Sequence, residues 1–185
     1  WVRVFSPILT YVFLFAACSG GDSTKDTFSI DHRPSGSHRA AESEAPTSPA
    51  NTVPDFEIAL FGNENHSYGG RVRLSEFRGQ AIVLNFWFPS CPPCRAEMPH
   101  LQSSFQRHKD NGVQFIGVQH VGLDSSDDGQ DLTTELGLSY AIGPDIDNSI
   151  LLDYEISSFP TTYFLDRRHH VVRKWQGPLT KEKLE

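Results

Sequence analysis

The sequence predicts an α/β fold, and three observations support this prediction. Strand-like apolar runs alternate with helix-like segments from about residue 81 onward, which implies parallel strands joined by helical crossovers. The run AIVLNFW at residues 81–87 is too short for a core helix and rich in β-branched and aromatic residues, so it predicts a buried central strand. A break at residues 88–90 then leads into a helix-like segment that opens with CPPC at residues 91–94.

The whole chain is acidic and of single-domain length. Its 185 residues suggest one domain, and its formal net charge of −7 argues against non-specific binding to nucleic acid. Because residue 1 is Trp rather than Met, we expect the natural chain to start earlier.

The first 18 residues have the pattern of an export signal. Arg3 precedes an apolar run at residues 8–17, which is too short to span a bilayer and matches the apolar core of a signal peptide. The small residues before Cys18 resemble the end of a bacterial lipoprotein signal. We therefore expect residues 1–18 to be a signal with Cys18 as a lipid anchor, on the extracytoplasmic face of a bacterial membrane. An uncleaved N-terminal anchor and an ordinary secretory signal stay open as alternatives.

Residues 19–52 differ in composition from the rest of the chain. They are rich in Ser, Pro, Ala, Gly, Asp and Glu, and their only large apolar residues are Phe28 and Ile30. Such a segment buries too little surface to offset the entropy of ordering, so we expect a disordered tether with a reach of roughly 30 Å. The folded domain is expected over residues 53–185.

The domain should begin with two short strands, because Phe56, Ile58 and Leu60 alternate with polar residues, and Val72 and Leu74 do so again. After the central strand we expect these elements in order: a helix to about residue 109 that is kinked at Pro99, a strand at 113–119, an acidic loop at 123–129, a helix at 132–136, a strand at 140–142, a helix at 148–154, a strand after Pro160 and a strand at 171–175. The five residues after Thr180 are too few for a stable helix, so we expect the natural chain to continue.

Cys91 and Cys94 lie where the central strand passes into a helix. The first N–H groups of a helix have no intrahelical partner and the helix dipole adds partial positive charge, so both favour a thiolate, the reactive form of cysteine. Structural zinc would need two further ligands at suitable spacing, which Cys18 and the eight scattered histidines do not supply. A purely structural disulfide would close a very short loop and stabilise little. The favoured interpretation is a redox-active pair.

The sequence NFW at residues 85–87, followed by CPPCRAEMP at 91–99, resembles the active-site run of the membrane-tethered thioredoxin-like proteins of the TlpA/ResA/CcmG type, also known as redoxin or AhpC/TSA-like proteins. The resemblance extends from about Val53 to the end of the chain. It implies a thioredoxin-like fold, with a central mixed sheet flanked by helices and an N-terminal β-hairpin. It also implies thiol–disulfide oxidoreductase activity without a cofactor or metal. Ser90 replaces the usual Trp and Phe88-Pro89 replaces small residues, which bears on the substrate more than on the chemistry.

The sequence SFPTTYFLD at residues 158–166 is the second signature of this resemblance. In the family the matching proline is cis and lies against the cysteine pair, so we expect a cis Phe159–Pro160 bond. Such a bond would leave the Phe159 backbone able to pair with an extended substrate. We also expect substrate contacts from Trp87 and Pro92. The alternative for Pro160 is an ordinary trans proline at a strand edge.

The expected reaction is thiol–disulfide exchange, in which Cys91 attacks a disulfide and Cys94 resolves the mixed disulfide. Cys91 should be the more exposed of the two because it starts the helix. Glu97 is the candidate acid/base, since it lies three residues after Cys94 on one helix face and Asn85 occupies the position of the buried Asp of cytoplasmic thioredoxins. The alternative is a surface glutamate that the helix dipole favours.

We expect the pair to act as a reductant of disulfide-bearing envelope proteins, recharged by a membrane thiol electron donor. Pro92 and Pro93 remove two N–H donors from the first helical turn and the domain is acidic, so the thiolate is weakly stabilised, although Arg95 acts the other way. An oxidase that installs disulfides is the alternative direction. Apocytochrome c, other envelope proteins and a partner oxidoreductase all stay open as substrates.

Two other function classes stay open as alternatives. A peroxiredoxin-like antioxidant peroxidase sets its cysteine in Pro-x-x-x-Thr-x-x-Cys, whereas Pro89 lies only two residues before Cys91. A dithiol copper-binding or metallochaperone protein of the related type spaces its cysteines by three residues, not two. Peroxide consumption and metal analysis of the reduced protein discriminate these alternatives.

Overall fold

A computed structural model describes residues 52–184 of the chain. The strands are β1 (Glu57–Ala59), β2 (Arg71–Arg73), β3 (Ala81–Trp87), β4 (Val113–His120), β5 (Ala141–Asp145), β6 (Thr161–Leu165) and β7 (Val171–Gln176). The helices are α1 (Pro92–His108), α2 (Ser126–Glu135), α3 (Ser149–Asp153) and α4 (Lys181–Leu184), with 3-10 turns at Leu74–Phe77 and Lys109–Asn111. The expected signal, Cys18 and nearly all of the expected tether lie outside the described residues.

Five strands form one mixed sheet in the order β5-β4-β3-β6-β7. Strand β3 pairs in parallel with β4, and β4 with β5, while β3 and β7 both pair antiparallel with β6. Helix α1 joins β3 to β4, and α2 joins β4 to β5, as parallel pairing requires. The predicted central strand, the mixed sheet and the flanking helices are confirmed.

Strand β3 is buried along residues 82–87 because apolar clusters cover both faces of the sheet. Its even-numbered side chains pack with β1, α3 and β6, whereas Val83 and Trp87 pack with α1 and α2. Successive side chains of a strand point to opposite faces, so Asn85 lies on the face covered by α1. This alternation brings a polar side chain of the central strand to the helix that follows the cysteines.

The predicted N-terminal hairpin is present as β1 and β2, which pair antiparallel. Glu57 accepts hydrogen bonds from Arg71 and Arg73 at 2.7 and 3.1 Å across the pair. The hairpin is attached to the edge of the main sheet, because the Phe61 N–H donates to the Ile142 carbonyl at 2.8 Å. It therefore covers the β5 edge of the sheet, and β7 forms the other edge.

The expected acidic loop at residues 123–129 is wrong in its second half, where α2 has already begun. Ser125 is the N-cap: its side chain accepts from the Asp128 N–H at 3.2 Å, and Asp128 accepts from the Ser125 N–H at 2.8 Å. This reciprocal capping box satisfies two helix-end donors, and acidic residues in a first turn also favour the dipole. A helix therefore starts where the closely spaced Asp residues predicted a loop.

The short C-terminal helix α4 also differs from expectation, because tertiary contacts hold it. Leu184 packs against the cluster that contains the cysteines, and the Lys183 ammonium lies 4.3 Å from the centroid of the Trp175 ring. Packing of this kind, rather than intrinsic propensity, stabilises most short helices. Within residues 52–184, no helix has the length and apolar character that a membrane span requires.

Candidate active site

The redox cysteines lie at the junction of β3 and α1, as the sequence predicts. Cys91 is the N-cap of α1, and its sulfur accepts a hydrogen bond from the Cys94 N–H at 3.2 Å. The two sulfurs form a disulfide, so the structure is the oxidised state. Pro92 and Pro93 supply no N–H, which leaves the Cys94 N–H as the donor to the Cys91 sulfur in this first turn.

Cys91 is the more exposed of the two cysteines, but the difference is small, since it is 3% exposed and Cys94 is fully buried. Both pack in the apolar cluster on the α1 face of the sheet. Pro92 and Pro93 are exposed beside them. In the oxidised state, therefore, only a small part of Cys91 is accessible from solvent, and Cys94 is inaccessible.

The Phe159–Pro160 bond is cis, as the resemblance implies. Within residues 52–184, the Phe159 backbone makes no hydrogen bond. Its ring is held from two directions: the His120 ring stacks on it with centroids 5.5 Å apart, and the Phe88 ring meets it edge-on at 5.2 Å. His120 lies at the end of β4, and Asn148 fixes its ring through a 2.7 Å contact to Nδ1.

Glu97 is a buried residue on α1, only 1% exposed. Its Oε1 accepts from the Asn85 side-chain amide at 2.8 Å, and its Oε2 accepts from the Leu179 N–H at 2.8 Å. The Asn85 amide also donates to the Thr162 hydroxyl at 2.9 Å, which fixes its orientation. The alternative of a surface glutamate is therefore wrong, because three elements enclose this side chain.

Burial raises the pKa of Glu97 to about 7, against the opposing effect of the hydrogen bonds from Leu179 and Asn85. Tyr140 is fully buried nearby, and its pKa is raised first by burial and then by the Glu97 charge. A carboxyl with a pKa near neutrality can take up and release a proton under the conditions in which it works. Glu97, three residues from Cys94 on the same helix, therefore has the properties that a proton acceptor requires.

Two contacts tie the active-site loop to the neighbouring helix α2 and the loop before it. The Ser90 N–H and hydroxyl both donate to Asp124, at 3.0 and 2.9 Å. Arg95 donates to both carboxylate oxygens of Glu135, at 2.9 and 3.1 Å. Neither pairing leaves a local pattern in the sequence. The second one offsets the positive charge that Arg95 would otherwise bring to the cysteines.

The four expected substrate contacts differ in accessibility. Phe159 is half-buried and Pro92 is exposed, whereas Pro160 is buried and Trp87 is 0% exposed. The Trp87 side chain packs beneath the cysteines because β3 is covered on both faces. This burial argues against a direct contact between Trp87 and a client. Among residues 52–184, no group of three or more His, Cys, Asp or Glu side chains is arranged to hold a metal ion.

Comparison with known proteins agrees with this geometry. The chain is 32% identical over 133 residues to the thiol-disulfide oxidoreductase ResA of Oceanobacillus iheyensis, covering 72% of this chain and 67% of that protein. It is 31% identical over 134 residues to ResA of Geobacillus kaustophilus, covering 72% of each.

Solved structures show the same fold. The crystal structure of StoA from Bacillus subtilis matches with a TM-score of 0.62 and 24% identity, covering 72% of this chain and 96% of that one. The crystal structure of a putative thiol:disulfide interchange protein DsbE from Chlorobium tepidum matches with a TM-score of 0.63 and 22% identity, covering 72% and 88%. The AhpC/TSA family model matches residues 49–174. The chain therefore belongs to the AhpC/TSA family, with the thioredoxin-like fold.

Proposed function

We propose that this thiol–disulfide oxidoreductase reduces disulfides in proteins outside the cytoplasm. The observation that carries the proposal is the Cys91–Cys94 disulfide at the N-terminus of α1, with the buried Glu97 carboxyl three residues further along the same helix. This arrangement supports the assignment of a nucleophile, a resolving thiol and a proton acceptor to the first two turns of one helix.

In the reduced enzyme, the Cys91 thiolate attacks one sulfur of the client disulfide. The client S–S bond breaks, and its electron pair leaves on the second client sulfur, which takes up a proton. Cys94 then loses its proton, attacks the Cys91 sulfur and forms the disulfide seen in the structure. The first client sulfur leaves as a thiolate and is protonated, so two electrons have passed from the cysteine pair to the client.

Glu97 is the group we assign to accept the Cys94 proton. Cys94 is fully buried in the oxidised structure, so bulk water has no direct access to its sulfur. Glu97 lies on the same face of α1, and burial raises its pKa to about 7, so both its forms are present near neutral pH. The carboxylate takes the proton as Cys94 attacks and returns it when the pair is recharged.

The direction of electron flow follows from how weakly the reduced thiolate is stabilised. One main-chain N–H reaches the Cys91 sulfur, two prolines contribute none, and Arg95 is paired with Glu135. A dithiol whose reduced form is poorly stabilised is a reductant rather than an oxidant.

Client recognition is assigned to the cis-proline loop. The unpaired backbone of Phe159 offers an N–H and a carbonyl to an extended chain, and Pro92 is exposed on the other side of the cysteines. Disulfide-bearing envelope proteins are the proposed clients, with apocytochrome c as one candidate. The expected signal and Cys18 support a lipid-anchored position on the extracytoplasmic membrane face, where a membrane thiol donor would recharge the pair.

Trapping tests the roles of the two cysteines. Cys91→Ser should abolish disulfide reduction, whereas Cys94→Ser should accumulate mixed disulfides with client proteins, because the second step is blocked. The measurement is non-reducing electrophoresis of full-length chain from cells, with identification of the trapped partners. Accumulation in Cys91→Ser instead of Cys94→Ser would reverse the assigned roles.

A further inference from the structure

The segment between β7 and α4 contacts the redox site through its main-chain N–H groups. The Gly177 N–H donates to the Pro160 carbonyl at 2.8 Å, and the Leu179 N–H donates to Oε2 of Glu97 at 2.8 Å. Pro178 between them has no N–H. Every N–H group of residues 177–179 is therefore bonded to a residue of the candidate active site.

Local conformation and packing hold this segment in place. Gly177 has φ +98°, a left-handed conformation that favours glycine, although a Cβ there would meet no atom within 4 Å. Leu179 is 2% exposed and packs in the same apolar cluster as the two cysteines. The Leu179 N–H is thus presented to Glu97 by a fixed backbone rather than by a mobile side chain.

The hydrogen bonds to Glu97 are the main interactions that lower its pKa against the effect of burial. The Leu179 N–H and the Asn85 amide both favour the carboxylate, whereas burial favours the acid. Tyr140 is the neighbouring titratable side chain outside the cysteine pair, and it is neutral at ordinary pH because burial raises its pKa.

Two cationic side chains of the adjoining elements, one on each helix, are directed to other partners. Arg95 of α1 pairs with Glu135, and Lys183 of α4 lies over the Trp175 ring. The proton affinity of Glu97 is therefore governed by burial and by its two hydrogen-bond donors.

We propose that the main-chain N–H of Leu179 is a positioning group for thiol–disulfide exchange, which orients the Glu97 carboxyl beside Cys94 and keeps it able to exchange a proton. The proposal rests on the role assigned to Glu97 above. Without this N–H, only Asn85 stabilises the carboxylate, so Glu97 holds its proton to higher pH. The acceptor for the Cys94 proton is then missing at neutral pH.

The experiment removes the N–H without removing the side chain. Ligation of a synthetic C-terminal peptide introduces an ester in place of the amide at Leu179 in the full chain, and Leu179→Pro removes the same N–H genetically. Leu179→Ala is the matched control, because it keeps the N–H and shortens the buried side chain. Two readouts apply: the carbon-13 NMR titration of the Glu97 carboxyl in the oxidised protein, and the pH profile of cysteine alkylation in the reduced protein.

The ester should move the Glu97 titration upward by about one pH unit and shift the alkylation profile in the same direction. Because shortening this side chain can only lessen the burial of Glu97, Leu179→Ala should move neither midpoint upward. An unshifted Glu97 titration in the ester variant, or an equal shift in Leu179→Ala, would overturn the role of the Leu179 N–H alone. A Glu97→Gln chain with the parent alkylation profile would instead refute the role proposed for Glu97.

Discussion

At the scale of single residues, the burial of Glu97 links the chemistry of the site to the stability of the domain. The buried Glu97 carboxyl resists ionisation, so the folded chain binds its proton more tightly than the unfolded chain does. The hydrogen bonds from Asn85 and Leu179 only partly offset this effect. The residue to which we assign proton transfer therefore also costs stability when it is charged.

This link predicts a pH-dependent free energy of unfolding. Because the folded pKa of Glu97 is raised from 4.5 to about 7, its stabilising contribution is complete below about pH 4.5 and is lost as the pH rises through 7. Between pH 5 and pH 8 the loss from this one group should be about 3 kcal/mol. Urea unfolding of the oxidised protein measures it without interference from thiol titration.

Glu97→Gln is the control for this prediction, since it cannot ionise. Burial lowers the pKa of His66 and of His169, but these histidines contribute equally to both proteins and cancel in the difference. The difference between parent and variant should therefore change by about 3 kcal/mol across this range. A difference that does not vary with pH would mean that Glu97 is not perturbed as described.

At this scale, the sequence predicts those site residues that belong to a side-chain motif. Cys91, Cys94 and Glu97 lie in one continuous run. The family resemblance of a second run implies the cis bond at Pro160. The sequence therefore predicts the cysteine helix and the cis bond. It does not predict the Leu179 contact, because the donor is a main-chain N–H that any residue except proline carries. Long-range side-chain pairs such as Ser90 with Asp124 leave no local pattern either.

At the scale of elements, a local capping box determines where α2 begins. Ring stacking holds the cis-proline loop. The alternation of strands and helices predicted nearly every element after β3, because period and composition are local properties. The missed half of α2 shows the limit, since Ser125 and Asp128 resemble a polar loop until their reciprocal bonds are seen. The short α4 was missed for a different reason, namely that Trp175 and its neighbours stabilise it from outside.

Ser125→Ala tests the capping box of α2. Loss of an N-cap hydroxyl costs about 1 kcal/mol, so the free energy of unfolding should fall by roughly that amount. Asp131→Ala, at an exposed position further along the same helix, should change it by less than about 0.5 kcal/mol. Equal effects of the two substitutions in urea unfolding would show that the box does not secure the helix.

A pair of substitutions at His120 tests the stacking on Phe159. His120→Ala removes the ring, so the client-pairing loop is less well held and the KM for a protein disulfide should rise several-fold. His120→Phe keeps a stacked ring without the contact to Asn148 and should stay close to the parent value. Reduction of a small disulfide serves as the control substrate for both chains. Equal KM values in all three chains would show that the stack has no part in client binding.

At the scale of the whole molecule, a folded redox domain follows an expected membrane anchor in the chain. Cys18→Ala should abolish incorporation of a radiolabelled fatty acid and release the chain from the membrane fraction, because the acceptor thiol is gone. Cys91→Ser should leave acylation unchanged and is the matched control. Label that persists in Cys18→Ala would exclude the lipoprotein interpretation of the N-terminus.

The central claim is that the Cys91–Cys94 pair donates electrons to its clients. Its most direct test is the reduction potential of the full chain, obtained by equilibration against a series of glutathione redox buffers. The weak stabilisation of the thiolate predicts a midpoint below about −200 mV, on the reducing side of disulfide-forming catalysts, so that the pair is mostly oxidised where ordinary envelope dithiols are oxidised. A midpoint near −120 mV, with the pair still mostly reduced under those conditions, would contradict the claim and identify the chain as an oxidant.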